Sequence, residues 1–368
     1  MMQAATVSPI NHLLDQVNGE LVDNGIQGEV DRVEISKKGA VQLQLVRDDC
    51  RCWFAWEDGE VRELEAAEDS RIPLATRLKD ESFAASVNLL SYRPGRRLTL
   101  VDLSGRYPRI LKGFRQGQLE NKIKKYEIAQ VAFAGRGVNV PEANEYDAAD
   151  DALVMMFESG ERLCMSADTT VQFHAIGERL RDFQGHDALA NERAFDGGDE
   201  LQLIDKRMAG LQQVGAELPE HWSRLRERLS QAMARLTPAV VGLAHRDLHD
   251  KQFIQQPDCV ALLDFDLITR ADVTLDPANF LAHMVLRNMQ GLRGVTRASI
   301  YTCGKKFLQG LARNEEPGFW ERLRFYQATT FCRLALVYAV RPRWAGLVSD
   351  LTTMGNRCID DLNRIKGN

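Results

Sequence analysis

The sequence predicts an α+β fold in which short strands form most of the N-terminal part and helices form most of the C-terminal part. Up to about residue 160, short apolar or alternating runs are separated by tight turns, as in antiparallel strands. Beyond residue 170, apolar residues recur at helical spacing in long charged segments. At 368 residues, the chain is long enough for two lobes with a sizeable core.

The first predicted sheet lies within residues 1–85. Residues 41–47 alternate apolar with polar side chains, and further strand-like runs follow at 53–56 and 61–65. Residues 66–84 carry charge and a proline, so we expect a helical or irregular connection there. We interpret residues 1–85 as a β-rich extension of the N-terminal lobe. A lid and a surface for a partner protein are the alternatives.

A second antiparallel sheet is predicted over residues 86–114, where three strand-like runs are joined by two tight turns. Lys112 lies between apolar neighbours in the third run. Residues 117–131 are predicted to be a helix because four residues fall on one face: Leu119, Ile123, Tyr126 and Gln130. Glu120 and Glu127 lie beside that face.

The rest of the chain is predicted to form one more strand and then a helical lobe. The strand is 153–157, and the boundary between the lobes is expected at 158–163. The predicted division is therefore an extension at 1–85, a small lobe at 86–160 and a helical lobe at 161–368. The predicted helical segments are 168–215, 221–236, 276–290, 296–313, 317–340 and 345–365.

The most informative motif is HRDLHDKQ at residues 245–252, followed 12 residues after Gln252 by Asp264-Phe265-Asp266. Apolar runs at 239–243 and 260–263 precede the two parts, as buried strands would, so Asp247 and Asp264 are expected at strand ends facing one space. Phosphoryl transfer needs a carboxylate near the attacking hydroxyl and oxygen ligands for Mg²⁺. The alternative is that both aspartates only cap turns.

Composition narrows the classes of function. The formal net charge of −5 and the pI near 5.9 give no general attraction to nucleic acid or to anionic membranes. The 7 cysteines are scattered without CxxC pairs, which is typical of reduced thiols in the cytoplasm. Neither a signal peptide nor a membrane-spanning apolar run is evident. We therefore expect a cytoplasmic protein that binds neither nucleic acid nor membranes.

The ordered set of 245–252, Asp264-Phe265-Asp266 and Asp276-Pro277 resembles the aminoglycoside phosphotransferase and choline kinase group over roughly residues 86–345. The resemblance implies a bilobal, protein-kinase-like fold with a small β-sheet lobe containing one helix. It also implies that Asp247 is the catalytic base and that Gln252 and Asp264 are Mg²⁺ ligands. Gln252 stands where the kinase pattern has Asn, and Asp266 where it has Gly.

The resemblance also assigns nucleotide contacts. Lys112 would bind the α and β phosphates, with Glu127 holding the lysine and Glu120 as the competitor. Phe157 lies in the segment that resembles the hinge near the adenine ring. The glycine-rich loop G-x-G-x-x-G is absent, and the hairpin turn 93–97 in its place offers Arg96 and its neighbours as phosphate contacts.

Five further residues receive roles outside the nucleotide contacts. His249 and Asp250 would face the substrate, while Asp276 and His245 would support the loop. Asp266 is interpreted as a cap rather than a second metal ligand.

The predicted function is transfer of the γ-phosphate of ATP or GTP, with Mg²⁺, to a hydroxyl of a small molecule such as an aminoglycoside, sugar or amino alcohol. A hydroxyl is expected because Asp247 is suited to accept a single proton. The alternative is a catalytically weak or inactive relative that binds nucleotide or a partner. Gln252, the missing glycine loop and the N-terminal strands motivate that alternative.

Overall fold

The structure is a computed structural model that describes residues 10–35, 40–48, 50–57, 60–135, 137–143 and 145–367. The predicted segment 1–85 therefore begins outside the described residues. The helices are α1 Asn11–Asp23, α2 Pro73–Thr76, α3 Glu81–Ser86, α4 Leu119–Ala132, α5 Thr170–Gln184, α6 Gly197–Gln213, α7 Glu220–Met233, α8 Leu275–Met289, α9 Arg297–Leu311, α10 Phe319–Ala339 and α11 Val348–Gly367.

The strands are short, and those in the first 160 residues outnumber the later ones. They are β1 Glu29–Ile35, β2 Val41–Arg47, β3 Cys50–Glu57, β4 Glu60–Glu63, β5 Val87–Arg93, β6 Arg97–Asp102, β7 Arg109–Phe114, β8 Val138–Asn139, β9 Glu145–Asp147, β10 Ala152–Met156, β11 Glu161–Arg162, β12 Val241–Ala244, β13 Phe253–Gln255, β14 Val260–Leu262 and β15 Thr269–Asp272.

The small lobe is an antiparallel five-stranded sheet in the order β5-β6-β7-β10-β9, with α4 packed against β10. In the β6–β7 register, Arg97 pairs with Phe114 and Thr99 pairs with Lys112. Because side chains alternate between the faces of a sheet, these four residues share one face. That face carries both Arg97 and Lys112 toward the helical lobe.

The C-terminal lobe is built around the long helix α10, which packs against α6, α7, α8 and α11. Its side chains are mostly buried because apolar residues lie on several of its faces. Helices α5 and α9 approach closely at Gly177 and Gly310, where an added Cβ would lie 2.1 and 2.0 Å from backbone oxygens. Two small sheets, β11-β13-β14-β8 and β12-β15, hold the loops that contain Asp247 and Asp264.

The N-terminal residues form a separate antiparallel sheet, β1-β2-β3-β4, together with α1. This sheet contacts both lobes. The Trp53 indole N–H donates to the Tyr92 carbonyl of the small lobe at 2.9 Å, and the Val33 amide donates to the Val340 carbonyl of the helical lobe at 2.9 Å. The sheet therefore bridges the two lobes at one end of the cleft.

The predicted fold class is confirmed: the chain has an α+β, bilobal, kinase-like architecture. Helix α1 and strand β1 were missed by the sequence analysis, although Leu13, Leu14, Val17 and Leu21 form a buried helical stripe. Among the described residues, no helix is both long and apolar enough to span a membrane.

Candidate active site

The loop that contains Asp247 follows β12, and the loop that contains Asp264 follows β14. Strand β12 is fixed by antiparallel pairing with β15, and β14 is fixed by pairing with β13 on one side and β8 on the other. The two aspartates are thus presented from strand ends, as the flanking apolar runs predict. Asp264 has φ +64°, a left-handed conformation that Asp tolerates better than most residues.

Asp276 ties the Asp247 loop to α8. Its carboxylate accepts the backbone N–H of His245 at 2.6 Å and that of Arg246 at 2.8 Å. Full burial raises the pKa of Asp276, although these hydrogen bonds favour the charged form. Arg246 has φ +67°, a strained conformation for its residue type, so the two bonds hold the loop in a shape it would not adopt alone. The N-cap residue of α8 is Thr274, two positions before Asp276.

His245 connects the two halves of the site. Its Nδ1 accepts the Asp247 backbone N–H at 3.3 Å, while its Nε2 lies 3.1 Å from the Leu263 carbonyl, directly before Asp264. A ring with the proton on Nε2 satisfies both contacts. The ring is fully buried and packs edge-on against Phe265 at 5.3 Å between centroids. His245 is therefore a structural support, in keeping with the role suggested by the resemblance.

Lys112 and Arg97 meet the two carboxylates after β14. The Lys112 ammonium lies 2.9 Å from Asp264 Oδ1 and 2.8 Å from Asp266 Oδ1, and Arg97 Nη1 lies 3.2 Å from Asp264 Oδ2. Burial opposes charge on Lys112, but the two aspartates hold the pKa of the lysine well above its usual range. Lys112 and Arg97 hold the pKa of Asp264 well below its usual range despite burial.

Two expectations for this cluster are corrected. Glu127 does not hold Lys112: it is exposed on α4, while its neighbour Tyr126 is buried with its ring 5.9 Å from the Lys112 ammonium. One residue along a helix turns about 100°, so Tyr126 and Glu127 cannot both face the lysine. Asp266 is not merely a cap, because its carboxylate contacts Lys112 and lies 3.6 Å from Arg97 Nη1.

Helix α4 places lysines near the site, where a glutamate that pairs with Lys112 was expected. The Lys122 and Lys125 ammonium groups each lie 3.2 Å from the Asp266 backbone carbonyl. Glu120, the second candidate, is exposed like Glu127. The small-lobe helix therefore adds positive charge beside Asp266.

Asp247 has neighbours on one of its two oxygens. Gln252 Nε2 donates to Asp247 Oδ2 at 3.3 Å, and His249 Nε2 lies 3.8 Å from the same oxygen. Asp247 is half-buried, and Arg97 is close enough to feel its charge. The structure thus brings together Asp247, Gln252 and His249, with Arg97 linking them electrostatically to Asp264.

Asp250, predicted to face substrate, is instead buried in an ion pair. Both of its oxygens accept from Arg287 Nε, at 3.0 and 2.8 Å. His249 stacks on His283 with 4.7 Å between ring centroids, and burial lowers the pKa of both histidines. His249, Asp250 and His283 place potential metal-ligand atoms within 4.8 Å of one another. Because Arg287 already occupies the carboxylate, we read this group as an ion-paired support.

Arg96 is exposed at the tip of the β5–β6 hairpin, near Arg93 and Glu34, whereas Arg97 enters the site. The turn itself is held by Asp69, which accepts the Gly95 backbone N–H and lies 2.9 Å from Arg71 Nε. Gly95 has φ +63°, and an added Cβ would meet the Arg71 guanidinium at 2.5 Å. A single glycine thus allows the turn that covers this end of the cleft.

Phe157 lies directly after β10, where the chain leaves the small lobe. Its backbone N–H donates to the Pro108 carbonyl at 3.3 Å, and its side chain is 42% exposed. Met155, which lies two positions earlier within β10, is buried, with 7% of its surface exposed. Phe157 therefore has a partly exposed side chain, whereas Met155 belongs to the core.

With this geometry established, comparison with known proteins identifies the family. Residues 96–313, more than half of the chain, match the profile of the phosphotransferase enzyme family. The chain belongs to this family. The phosphotransferase class of enzyme predicted from the sequence is thereby confirmed. No curated protein sequence matches the chain.

Solved structures support the fold at low sequence identity. An amicoumacin kinase bound to AMP-PNP, Ca²⁺ and amicoumacin aligns with a TM-score of 0.55 and 13% identity, covering 77% of this chain and 93% of the kinase. The choline kinase LicA from Streptococcus pneumoniae aligns with a TM-score of 0.54 and 14% identity, covering 78% and 99%. A thermostable mutant of the aminoglycoside phosphotransferase APH(4)-Ia gives 0.53 and 12%, covering 75% and 94%.

Arg97 and Asp69 are the main site residues that the sequence analysis did not single out. Arg97 could have been found from strand parity, because residues 97 and 112 fall on the same face once the hairpin register is set. Asp69 carried no comparable signal, since it reaches Gly95 across 26 positions of sequence.

Proposed function

We propose that this phosphotransferase transfers the γ-phosphoryl group of ATP or GTP to a hydroxyl group of a small molecule. The observation that carries the proposal is the meeting of Asp247, Asp264 and Asp266 around Lys112 and Arg97. Three carboxylates and two cations in one cleft supply a base, oxygen ligands for a metal and contacts for phosphate. A turn-capping role would explain none of the contacts to Lys112.

The residues fit a magnesium ion by the chemistry of their donors. Carboxylate oxygens of Asp264 and Asp266 and the carboxamide oxygen of Gln252 are hard ligands of the kind that Mg²⁺ prefers. When bound, Mg²⁺ would neutralise phosphate charge and orient the γ-phosphoryl group. The kinase with AMP-PNP and Ca²⁺ supports the same pairing of nucleotide and divalent ion by analogy.

In the proposed reaction, Asp247 Oδ1 accepts the proton of the acceptor hydroxyl while that oxygen attacks the γ-phosphorus. The bond from the γ-phosphorus to the β,γ-bridging oxygen breaks, and the nucleoside diphosphate leaves. Gln252 and His249 both approach Asp247 Oδ2, so they would orient the carboxylate. Lys112 and Arg97 would bind phosphate oxygens, and Phe157 would lie against the base of the nucleotide.

We also propose that the protein works in a reducing compartment such as the cytoplasm. All 7 cysteines are free thiols, and Cys303, Cys332 and Cys358 are buried. Buried free thiols are compatible with a compartment that keeps cysteines reduced.

The test measures nucleotide binding and turnover separately. We expect ATP or GTP with Mg²⁺ to raise the melting temperature by several degrees at saturation. Asp264→Ala should remove that shift, whereas Asp247→Ala should keep it and abolish turnover in an assay of ADP or GDP release. Asp350→Ala, at an exposed position of α11, is the matched control and should behave as wild type.

Two results would count against the proposal. Absence of any Mg²⁺-dependent shift with either nucleotide would contradict both nucleotide binding and the assigned ligands. Nucleotide binding without phosphorylation of any sugar, amino alcohol, hydroxy acid or aminoglycoside would instead favour the nucleotide-binding, inactive alternative.

A further inference from the structure

Beyond the carboxylates, a line of guanidinium groups starts at the loop of Asp247. The Asn279 side-chain amide donates to the Leu248 carbonyl at 2.8 Å, and Arg333 Nη2 donates to Asn279 Oδ1 at 2.7 Å. Arg333 is therefore two hydrogen bonds away from the loop that holds Asp247. Its buried Nε makes no hydrogen bond within the described part of the chain, and Glu200 Oε2 lies 3.9 Å away.

Arg207 on α6 is the next group in this line. It reaches solvent, yet desolvation by the surrounding protein, together with the nearby charges of Arg333 and Arg93, lowers the pKa of its guanidinium to about 10. Arg207 forms no ion pair or hydrogen bond with any residue that the structure describes. A guanidinium held near two others with no carboxylate in direct contact becomes more favourable when an anion binds to it.

The N-terminal sheet closes the far end of the line. Glu34 of β1 accepts from Arg93 Nε at 3.0 Å and from Arg32 Nη1 at 3.2 Å, and it also lies near Arg96 and Arg207. The same strand is anchored to the helical lobe through Val33. The sheet thus closes this end of the cleft, and its Glu34 carboxylate is already shared among several arginines.

The charge balance of this region is positive. Arg32, Arg93, Arg96, Arg207 and Arg333 face Glu34 and Glu200, so these arginines outnumber the two carboxylates before any ligand binds. The phosphates of a nucleotide already have Lys112 and Arg97 near Asp264. Such a surface repels a cation, and arginine forks bind carboxylate and phosphate groups well.

We propose that the acceptor is an alcohol that also carries a carboxylate or phosphate group, and that Arg207 and Arg333 bind that anion. The proposal rests on the proposed phosphotransfer and narrows its substrate class. It sets the chain apart from kinases of cationic alcohols and of aminoglycosides. Arg333 would hold the anion in position relative to Asp247 through Asn279. Arg207 would attract the anion with a positive charge that forms no ion pair with any described residue.

The experiment uses the full-length protein and two matched acceptor series. One series has three carbons: glycerol, glycerate, glycerol 3-phosphate and the cationic serinol. The other has six: glucose, gluconate, glucose 6-phosphate and glucosamine. ADP release with Mg·ATP is measured for each compound, and Mg·ATP binding is measured separately. Including both carboxylate and phosphate members identifies which anion the site prefers.

We expect an anionic member of at least one series to give a kcat/KM at least tenfold above its neutral and cationic counterparts. Arg207→Gln should raise the KM for that compound at least tenfold, with kcat and the Kd of Mg·ATP within threefold of wild type. Lys206→Gln removes the same charge from the preceding, exposed position of α6. It should leave the KM for that compound, kcat and the Kd of Mg·ATP unchanged.

Three results would overturn the proposal. The first is preference for serinol or glucosamine; the second is an equal loss of Mg·ATP affinity and acceptor affinity in Arg207→Gln. The third is phosphorylation of a neutral or cationic compound but of no anionic one, which leaves the phosphotransferase proposal standing. Failure of that broader proposal is distinguishable, because then either neither Mg·ATP nor Mg·GTP would bind or no compound of either series would be phosphorylated.

Discussion

Replacing Lys112 by methionine tests the charge cluster most directly. Methionine fills nearly the same volume without the ammonium, so the main loss is electrostatic. The side chains involved are 7% exposed for Lys112, 21% for Asp264 and 11% for Asp266, which places the cluster close to the buried limit. Removing one partner of a buried pair costs about 3–5 kcal/mol. We therefore expect the free energy of unfolding to fall by about that amount at pH 7 without Mg²⁺.

The pH dependence has a definite sign. The depressed pKa of Asp264 means that its ion pairs stabilise the fold above the unfolded pKa of about 3.9 and that this contribution is lost as the pH falls. In the unfolded chain, the lysine is charged up to about pH 10. In the folded protein, the raised pKa of Lys112 keeps it charged at still higher pH. The difference between wild type and Lys112→Met should thus be largest between about pH 5 and 10 and should shrink as the pH falls below about 4.

Urea unfolding without nucleotide gives the measurement. With a slope of about 3 kcal/mol/M, the midpoint should drop by about 1–1.7 M at pH 7 and by less at about pH 3. Lys124→Met is the control, because Lys124 lies 3.3 Å from Glu192 with both side chains more than half exposed, and such pairs contribute at most about 1 kcal/mol. A loss below about 1 kcal/mol, or an equal loss at both pH values, would refute the reasoning.

Three further predictions concern the supports of the site. Asp276→Asn turns one acceptor into a donor facing a backbone N–H, so kcat should fall at least tenfold while the Kd of Mg·ATP stays within threefold; an unchanged kcat would contradict this. Asp69→Ala releases the Gly95 turn and should raise the KM for the nucleotide severalfold in steady-state assays, and an unchanged KM would argue against the turn as a phosphate cover. Arg322→Ala leaves the buried Asp272 carboxylate without its partner at 3.0 Å and should destabilise the protein by about 3–5 kcal/mol in urea, whereas the double variant with Asp272→Ala should recover part of that loss.

The positions of Asp247 and Asp264 were predictable because they depend on local patterns. Each aspartate follows an apolar run that forms a strand, and the spacing between them is short. The same holds for the helices after residue 170, whose apolar stripes are long and regular. Local periodicity therefore located the elements and the end of each strand that bears a carboxylate.

The partner of Lys112 was not predictable in this way. It depends on how α4 is rotated against the sheet and on which carboxylates lie closest to the lysine ammonium. Tyr126 occupies the inward position of α4, and Asp266 approaches from a loop 154 positions along the chain. The resemblance assigns a glutamate of α4 to Lys112 and does not say which of these competing contacts forms.

The position of Arg207 could not be predicted for a related reason, since its neighbours come from α10 and the β5–β6 hairpin.

The two departures from the kinase loop pattern compensate each other in the structure. Gln252 has a longer arm than Asn, and its amide nitrogen reaches the oxygen of Asp247 at 3.3 Å. Asp266, in place of Gly, adds a carboxylate beside Asp264, and both share Lys112. In the proposed metal site, a carboxamide whose nitrogen is turned toward Asp247 would thus be offset by a second carboxylate two residues after Asp264. This arrangement favours Asp264 and Asp266 as the charged half of the proposed metal site, with Gln252 acting mainly on the orientation of Asp247.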